Sequence, residues 1–390
     1  MSKIALISRD MRPGGTQKAV LALMYFLLEK GNDVTLYLQN NEGDWLEKVP
    51  ANVKIKEMVF TKNRYRFWVE VSLPKWEKYL RKKMNAIFCL KKCLTKRGIH
   101  EFLLKHCKKV EESYDAVLEV FGWGFFTTPF AAEMIPARKR ALWFHGENVR
   151  WAQNVERYLN RFDAFYCVSE SVKHKLEAFR PKYSERCKVL HNFIDINEIR
   201  EKAEKAPEKD DCGQVCNGLR IVSVARLAHE KRIDIAIEAA AVLKLHGVDF
   251  HWFFIGNGPL SEELQKLIKQ KGLESCVTLL GFRANPYPYM KECDIFVQTS
   301  QEEGYSISIL EAKVLGCPIV ATDIAANAEQ ITNGENGWLV PLSADAFAAK
   351  LEELARNPQE RQRLRESVTK ENINFSKDYW VLEELFAESP

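Results

Sequence analysis

Ile295-Phe296-Val297-Gln298-Thr299-Ser300-Gln301-Glu302-Glu303-Gly304-Tyr305-Ser306-Ile307-Ser308-Ile309-Leu310-Glu311 is the stretch on which the fold turns. Its opening run, Ile295 to Val297, is short and continuously apolar, the pattern of a strand buried on both faces. From Ile307 the apolar residues Ile307, Leu310 and Val314 recur at helical spacing. Strand, loop and helix in that order form the repeating unit of a doubly wound α/β sheet. Glu303 falls in the loop, and Glu311 lies on the helix about two turns in. A helix start carries unpaired N–H groups and the positive end of the helix dipole, so it favours an anion. A carboxylate on either side of an anion site suits a ligand with phosphate in the middle and hydroxyls at both ends, such as a nucleotide sugar. The plainer alternative is a loop acid and a solvated helix acid.

The same alternation extends in both directions. Upstream, Lys3–Ser8, Asp33–Leu38, Val53–Val59, Ala116–Phe121, Ala141–Phe144, Ala164–Val168 and Lys188–Leu190 read as strands. Gly14-Gly15 reads as a turn, and Thr16 as the cap of a helix that ends near Gly31. A second set comprises Ile221–Val224, Phe250–Ile255, Val277–Leu280, Asp294–Val297, Ile319–Ala321 and Trp338–Val340. Residues 201–217 are rich in Lys, Glu, Asp, Ala and Pro and lack apolar periodicity, which marks a linker. The expectation is two Rossmann-like, doubly wound domains facing a central cleft: residues 1–200, then the linker 201–217, then residues 218–375. A C-terminal helix, 376–390, is expected to pack back on the first domain.

A chain of 390 residues is too long for one ordinary core. Its net charge is only +4, but the charge is uneven. Lys62 to Lys109 holds fifteen Lys or Arg and three acids, leaving the remainder net acidic by eight. Tyr65, Phe67, Trp68, Trp76 and Tyr79 are interleaved there. Residues 61–110 therefore fit a segment lying on an anionic membrane surface, or a solvated face over an ordinary core. No nucleic-acid fold accompanies the segment, so nucleic acid is not an expected partner. The ten cysteines lack zinc-site spacing and read as reduced thiols. No stretch approaches the roughly 18 apolar residues needed to span a membrane. The expected location is cytoplasmic, peripheral on the inner face of a membrane.

Further residues could carry chemistry. Gly14 and Gly15 allow close backbone approach, but they do not form GxGxxG, and no dinucleotide cofactor is implied. Arg226, at a strand end, and Lys231, five residues later, suit a diphosphate at the carboxyl edge of a sheet. Gly256-Asn257-Gly258-Pro259 has the look of a phosphate-cradling turn. Phe282, after the next strand, could meet a base. His145 ends a strand and is expected to point into the cleft. No Ser/His/Asp set, metal cluster or P-loop lysine is present in the sequence.

Taken together these residues resemble the retaining glycosyltransferases of the GT-B fold, in the large group called family 4. The resemblance covers nearly the whole chain and is strongest from Ile221 to Leu342. It rests on Glu303…Glu311, on Val224-Ala225-Arg226-Leu227 with Lys231, and on Gly256-Asn257-Gly258-Pro259. Val168-Ser169-Glu170-Ser171, His191-Asn192-Phe193-Ile194-Asp195, Gly316-Cys317-Pro318 and Asn336-Gly337-Trp338 add to it. The resemblance implies that Glu311 takes the ribose hydroxyls and Glu303 the transferred sugar. It implies that Arg226 and Lys231 stabilise the departing diphosphate. Backbone groups of Gly304, Tyr305, Ser306 and Ile307 would hold phosphate and sugar. His145 would lie near the sugar 6-position, and Gly14 and Gly15 near the diphosphate. It implies no metal and no cofactor beyond the nucleoside-diphosphate sugar substrate, taken as UDP-linked. The acceptor would be a glycan or lipid-linked glycan in bacterial surface-polysaccharide assembly.

Two departures stand out. Ser306 replaces a common glycine and places a hydroxyl beside the sugar, where it would bear on donor choice. Thr16-Gln17 replaces an acid common after the first glycine pair. A nucleotide-sugar epimerase of the same fold, or a catalytically silent nucleotide-sugar-binding protein, are the alternative readings.

Overall fold

The computed structural model describes residues 1–61, 98–206 and 218–386. The chain forms two units, Met1–Phe193 with Phe375–Pro390, and Ile194–Asn374. Most of the basic aromatic segment (62–97) and most of the linker (207–217) lie outside the described residues. No helix among the described residues is long and apolar enough to cross a membrane.

In the first unit the described strands are β1 (Lys3–Ser8), β2 (Asp33–Leu38), β3 (Lys54–Glu57), β4 (Tyr114–Glu119), β5 (Ala137–Phe144), β6 (Ala164–Cys167) and β7 (Cys187–Val189). They form one parallel sheet in the order β3-β2-β1-β4-β5-β6-β7. β1 is central because both its faces are covered: Ile4 to Ile7 are at most 2% exposed. The helix Gly15–Glu29 packs Ala19, Val20, Leu23, Met24 and Leu27 inward at helical spacing. It ends where Gly31 adopts φ +77° and the Asn32 N–H reaches the Leu27 carbonyl at 3.1 Å, an arrangement a side chain at 31 would strain. Its cap differs from the expectation. Gly14, not Thr16, is the N-cap, and no side chain caps the helix.

The second unit holds β8 (Leu219–Val224), β9 (Phe250–Ile255), β10 (Val277–Gly281), β11 (Ile295–Gln298), β12 (Ile319–Thr322) and β13 (Trp338–Val340). Their order is β10-β9-β8-β11-β12-β13, again parallel. Trp252, fully buried, donates its indole N–H to Ser223 Oγ at 3.0 Å, and that hydroxyl donates to the Val297 carbonyl at 2.7 Å. The polar edge of a large core residue is thus satisfied, and β9, β8 and β11 are tied in register.

The boundary falls at Phe193/Ile194 rather than at residue 200. The helix Ile196–Ala203 belongs to the second unit: the Lys202 carbonyl accepts from Asn285 Nδ2 at 2.8 Å, and Glu204 pairs with Lys291 at 2.6 Å. The expected linker therefore begins inside a packed helix. The chain returns to the first unit at Phe375, whose ring meets Phe193 with centroids 5.2 Å apart. The helix Ser376–Phe386 then covers its sheet, accepting from Tyr166 OH at the Val381 carbonyl (3.1 Å) and holding His191 through Asp378 (2.9 Å).

Each sheet reverses its winding once, between β1 and β4 in the first unit and between β8 and β11 in the second. Ligands of open α/β sheets bind outside the carboxyl ends of the strands at that reversal. The loops after β8 and β11 are therefore the place to look first.

Candidate active site

The loop after β8 carries Arg226 and ends in a short turn, His229–Lys231. The loop after β11 carries Glu303. The two meet across the reversal: Lys231 Nζ donates to Glu303 Oε1 at 2.6 Å, and Ser300 Oγ donates to the same oxygen at 2.7 Å. Two further bonds fix the loops to each other, from Thr299 Oγ1 to the Lys231 carbonyl (2.9 Å) and from the Gln301 N–H to the Glu230 carbonyl (2.9 Å). Arg232 follows at φ 48°, the positive-φ non-glycine residue among those described, and its guanidinium is held by Asp234 at 2.8 Å. A left-handed arginine costs roughly 1 kcal/mol, which the packed loop sustains directly beside Lys231.

Arg226 is exposed and paired with Glu230. Burial pushes the Glu230 carboxyl upward, but its own backbone N–H and the Arg226 guanidinium outweigh this and hold it below its ordinary value. The glycines expected to cradle phosphate lie tight against the protein's own backbone. A Cβ on Gly256 (φ +143°) would stand 1.9 Å from the Ala225 carbonyl oxygen, and one on Gly258 2.2 Å from that of Leu227. The Leu227 N–H donates to the Asn257 carbonyl at 3.1 Å. The close approach they permit is to the Arg226 loop, which they buttress.

The helix Ile307–Val314 opens on Ser306, whose hydroxyl accepts from the Ile309 N–H at 3.3 Å and from Gln298 Nε2 at 2.5 Å. Ser306 is 3% exposed. The hydroxyl expected beside the sugar is thus consumed by capping the helix. The buried Gln330 clamps the Ser306 backbone when its amide is set by the surrounding donors and acceptors: its oxygen accepts from the Ser306 N–H at 2.7 Å, and its nitrogen donates to the Ser306 carbonyl at 3.0 Å. Lys313 Nζ in turn donates to the Gln330 carbonyl at 2.6 Å. With the Ser306 N–H taken, the Ile307 and Ser308 N–H groups have no acceptor among the described residues at the helix start.

Glu311 is 2% exposed and accepts from Tyr287 OH at 3.2 Å, so it is not a solvated helix acid. Burial and the Glu311 charge push the Tyr287 phenol far above its ordinary value, keeping it a donor. Phe282, after β10, is 55% exposed. Arg226, Lys231, Glu303, Gly304, Tyr305, Ser306, Ile307, Glu311 and Phe282 are thus gathered on the carboxyl-edge loops and following helix of one sheet.

His145, Gly14 and Gly15 lie on the first unit, after β5 and β1. His145 Nε2 lies 2.9 Å from the Val120 carbonyl, and its Nδ1 is buried. Burial pushes the imidazole down to about 4, only partly opposed by that carbonyl, so it is neutral at physiological pH. Glu119, at the end of β4, was not singled out by sequence. It is fully buried, accepts from the Gly122 N–H at 3.1 Å, and burial pushes its carboxyl up to about 7. A Cβ on Gly14 would meet only the movable end of Gln17, at 2.8 Å, and its φ of 179° is ordinary extended backbone. Nothing in the local backbone therefore demands glycine at 14.

The chain is similar to known glycosyltransferases. Residues 211–371 match the family described as glycosyl transferases group 1. The putative colanic acid biosynthesis glycosyltransferase WcaL of Salmonella typhimurium is 28% identical over 64% of each chain. The amylovoran biosynthesis glycosyltransferase AmsK of Erwinia amylovora is 30% identical over 56% of this chain and 55% of its own. An N-acetylgalactosaminyltransferase of Campylobacter jejuni, named for a diphospho-undecaprenol acceptor, is 38% identical over 40% of each. The matches span between two fifths and just under two thirds of these relatives. Anabaena HepE in complex with UDP and glucose superposes with a TM-score of 0.72 at 17% identity, covering 98% of this chain and 99% of that one. An S. aureus TarM variant in complex with UDP gives 0.70 at 15%, covering 100% of both. At such identities the structures speak to the fold, which is that of the GT-B glycosyltransferases.

Proposed function

We propose, for a chain whose residues 211–371 belong to the group 1 glycosyl transferases and whose fold is GT-B, that it is a retaining glycosyltransferase. It moves a hexose or N-acetylhexosamine from a UDP-sugar to a glycan or lipid-linked glycan during assembly of a bacterial surface polysaccharide. The observation that carries this is the Lys231–Glu303 contact at 2.6 Å across the sheet reversal, beside a helix start and a buried Glu311.

The chemistry follows from these groups. An ammonium has three N–H donors, so Lys231 can keep Glu303 and still offer two to a diphosphate. Arg226 is held, among the described residues, by an exposed pair, which contributes about 0.2–1 kcal/mol and exchanges readily for phosphate. The Ile307 and Ser308 N–H groups supply neutral donors at a dipole end. Glu311 and its tyrosine partner are placed to take ribose hydroxyls, and Phe282 to lie against the base. As the bond from C1 to the diphosphate oxygen breaks, negative charge grows on that oxygen, and Lys231 and Arg226 stabilise it more than the ground state. The acceptor hydroxyl forms its bond to C1 on the same face and passes its proton to the departing phosphate oxygen. Glu303 stabilises the cationic sugar between the two events. His145, with Nε2 on the Val120 carbonyl and Nδ1 buried, is given no hydrogen bond to the sugar. No metal is assigned a role. The relatives named for colanic acid, amylovoran and an undecaprenol-linked glycan support the surface-polymer setting. The basic segment 61–110 is proposed to hold the enzyme at an anionic membrane surface.

The test is a panel of nucleoside-diphosphate sugars assayed for hydrolysis and for thermal stabilisation. A single UDP-sugar should both stabilise the protein and be slowly hydrolysed, and Glu311→Ala should abolish the stabilisation. Interconversion of the sugar without acceptor would indicate an epimerase. Stabilisation by UDP with no turnover on any acceptor would indicate a silent binding protein. Absence of any response to nucleotides would end the proposal. Sedimentation with vesicles of phosphatidylglycerol tests the membrane role, which falls if the chain stays in the supernatant.

A further inference from the structure

The first unit repeats the logic of the second at its own reversal, between β1 and β4, but with aromatic side chains instead of ions. The loop after β4 is Phe121-Gly122-Trp123-Gly124-Phe125-Phe126. Trp123 is 38% and Phe125 46% exposed, while their neighbours Phe121 and Phe126 are buried. Scattered exposed rings are ordinary on a protein surface, but two in one short loop at a ligand-binding edge are not scattered.

The loop is built to hold them there. Gly122 and Gly124 have φ of +67° and +64°. A Cβ on Gly122 would stand 2.1 Å from the Trp143 carbonyl oxygen, and one on Gly124 2.5 Å from the Trp151 ring. The buried Glu119 carboxyl grips the loop through the Phe121 and Gly122 N–H groups at 3.3 and 3.1 Å. From the loop after β1, Arg9 reaches across the reversal and lays its guanidinium 4.4 Å from the Phe121 centroid and 5.5 Å from that of Phe125. Arg9 is itself fixed by Asp10, buried, at 2.8 Å. Trp123 leans toward Gly146, where an added Cβ would come 3.6 Å from its ring. Alternating left-handed glycines, a buried carboxylate and a bridging arginine thus fix two open rings in place.

We infer that Trp123 and Phe125 form a platform on which a pyranose ring of the acceptor glycan stacks. An aromatic face is electron-rich, and the axial C–H face of a pyranose is apolar and weakly positive. Contact buries apolar surface on both sides while the sugar's equatorial hydroxyls remain in water or reach neighbouring polar groups. A rigid platform loses little freedom on binding. This inference rests on the transferase reading for the word acceptor, but the stacking itself can be tested without it.

Saturation-transfer-difference NMR of the full chain with the methyl β-pyranosides of glucose, galactose and N-acetylglucosamine, with no nucleotide present, reads the platform directly. At least one glycoside should receive saturation, concentrated on its ring C–H protons. Trp123→Leu and Phe125→Leu keep apolar bulk but remove the ring, and each should lose most of that signal, whereas Trp123→Phe should retain it. In turnover with the identified donor, each Leu variant should raise the KM for acceptor about tenfold and leave donor KM and donor hydrolysis unchanged. Unchanged saturation in both Leu variants, or none in the wild type, overturns the platform. A rise in donor KM instead would give these rings to the donor and also overturn it. Saturation lost as expected in a chain that turns over no donor would sustain the platform and remove the transferase reading.

Discussion

Replacing Glu303 with Gln separates the two partners of the Lys231–Glu303 pair. Their N···O distance is 2.6 Å, and the side chains are 21% and 11% exposed. At an effective dielectric near 20, two unit charges at that distance attract by about 6 kcal/mol. Desolvation of both ions cancels most of this, and partial exposure screens the rest. Removing one charge is then expected to cost roughly 1–3 kcal/mol of stability, or on the order of 2–12 °C in the transition of a unit this size. Ligand binding should move oppositely for the two residues. In Glu303→Gln the ammonium is freed for phosphate, so UDP should bind as well as to wild type or more tightly. Lys231→Met removes a charge-assisted contact worth about 1.5–3 kcal/mol and should weaken UDP by roughly 10- to 100-fold. Turnover should fall in both. Titration calorimetry of UDP against wild type, the two single variants and the double variant provides the cycle. If Glu303→Gln weakens UDP as much as Lys231→Met, the pair is a structural tie, and assigning one partner to sugar and the other to diphosphate is wrong.

Gly256→Ala should destabilise the second unit by more than about 2 kcal/mol, because the added methyl meets the Ala225 carbonyl oxygen at 1.9 Å and the φ of +143° resists a side chain; denaturant unfolding checks it. Gln330→Leu should remove both bonds to the Ser306 backbone, costing about 1–3 kcal/mol, and raise donor KM while acceptor KM stays constant. The first unit should show two opposed pH dependences. His145, pushed down to about 4, is protonated earlier in the unfolded chain, so its contribution to stability is lost as pH falls from about 6.5 to 4. Glu119, pushed up to about 7, holds its proton longer in the folded chain, so its contribution is lost as pH rises from about 4.5 to 7. The two nearly cancel in wild type. Glu119→Gln should unmask stability that rises with pH across that window and His145→Gln stability that falls; equal flat profiles in both variants would refute the assignments.

The parallel sheets were legible because their strands are buried on both faces and read as short, continuous apolar runs, as in Ile4–Ile7 and Ile295–Val297. Glu303, Lys231 and Arg226 were legible because each sits at a fixed distance from such a run. Other features were hidden for specific reasons. Ile196–Ala203 is short and half charged, and its contacts with the second unit reveal where that unit starts. Ser306 could equally have faced a ligand or capped a helix; its position directly before an apolar helical repeat was the available signal for a cap. Tyr287 holds Glu311, and Gln298 and Gln330 hold Ser306 between the glutamates, from three different segments that no local pattern joins. Phe121 read as the end of a strand because Val120-Phe121 continues the apolar run Ala116–Leu118 past Glu119. The glycines at 122 and 124 were the punctuation that says otherwise.

The return of the chain at Phe375 has a consequence for how the molecule is made. The second unit, Ile194–Asn374, is contiguous and is synthesised before Ser376–Phe386. The first unit, begun earliest, is finished last, because Tyr166, His191 and Arg138 wait for partners on that final helix. A chain stopped at Asn374 carries Lys231, Ser300 and Tyr287, which hold Glu303 and Glu311, yet leaves part of the β5–β7 face of the other sheet uncovered. Such a fragment should bind UDP and aggregate, so nucleotide binding and solubility would part company when that helix is removed.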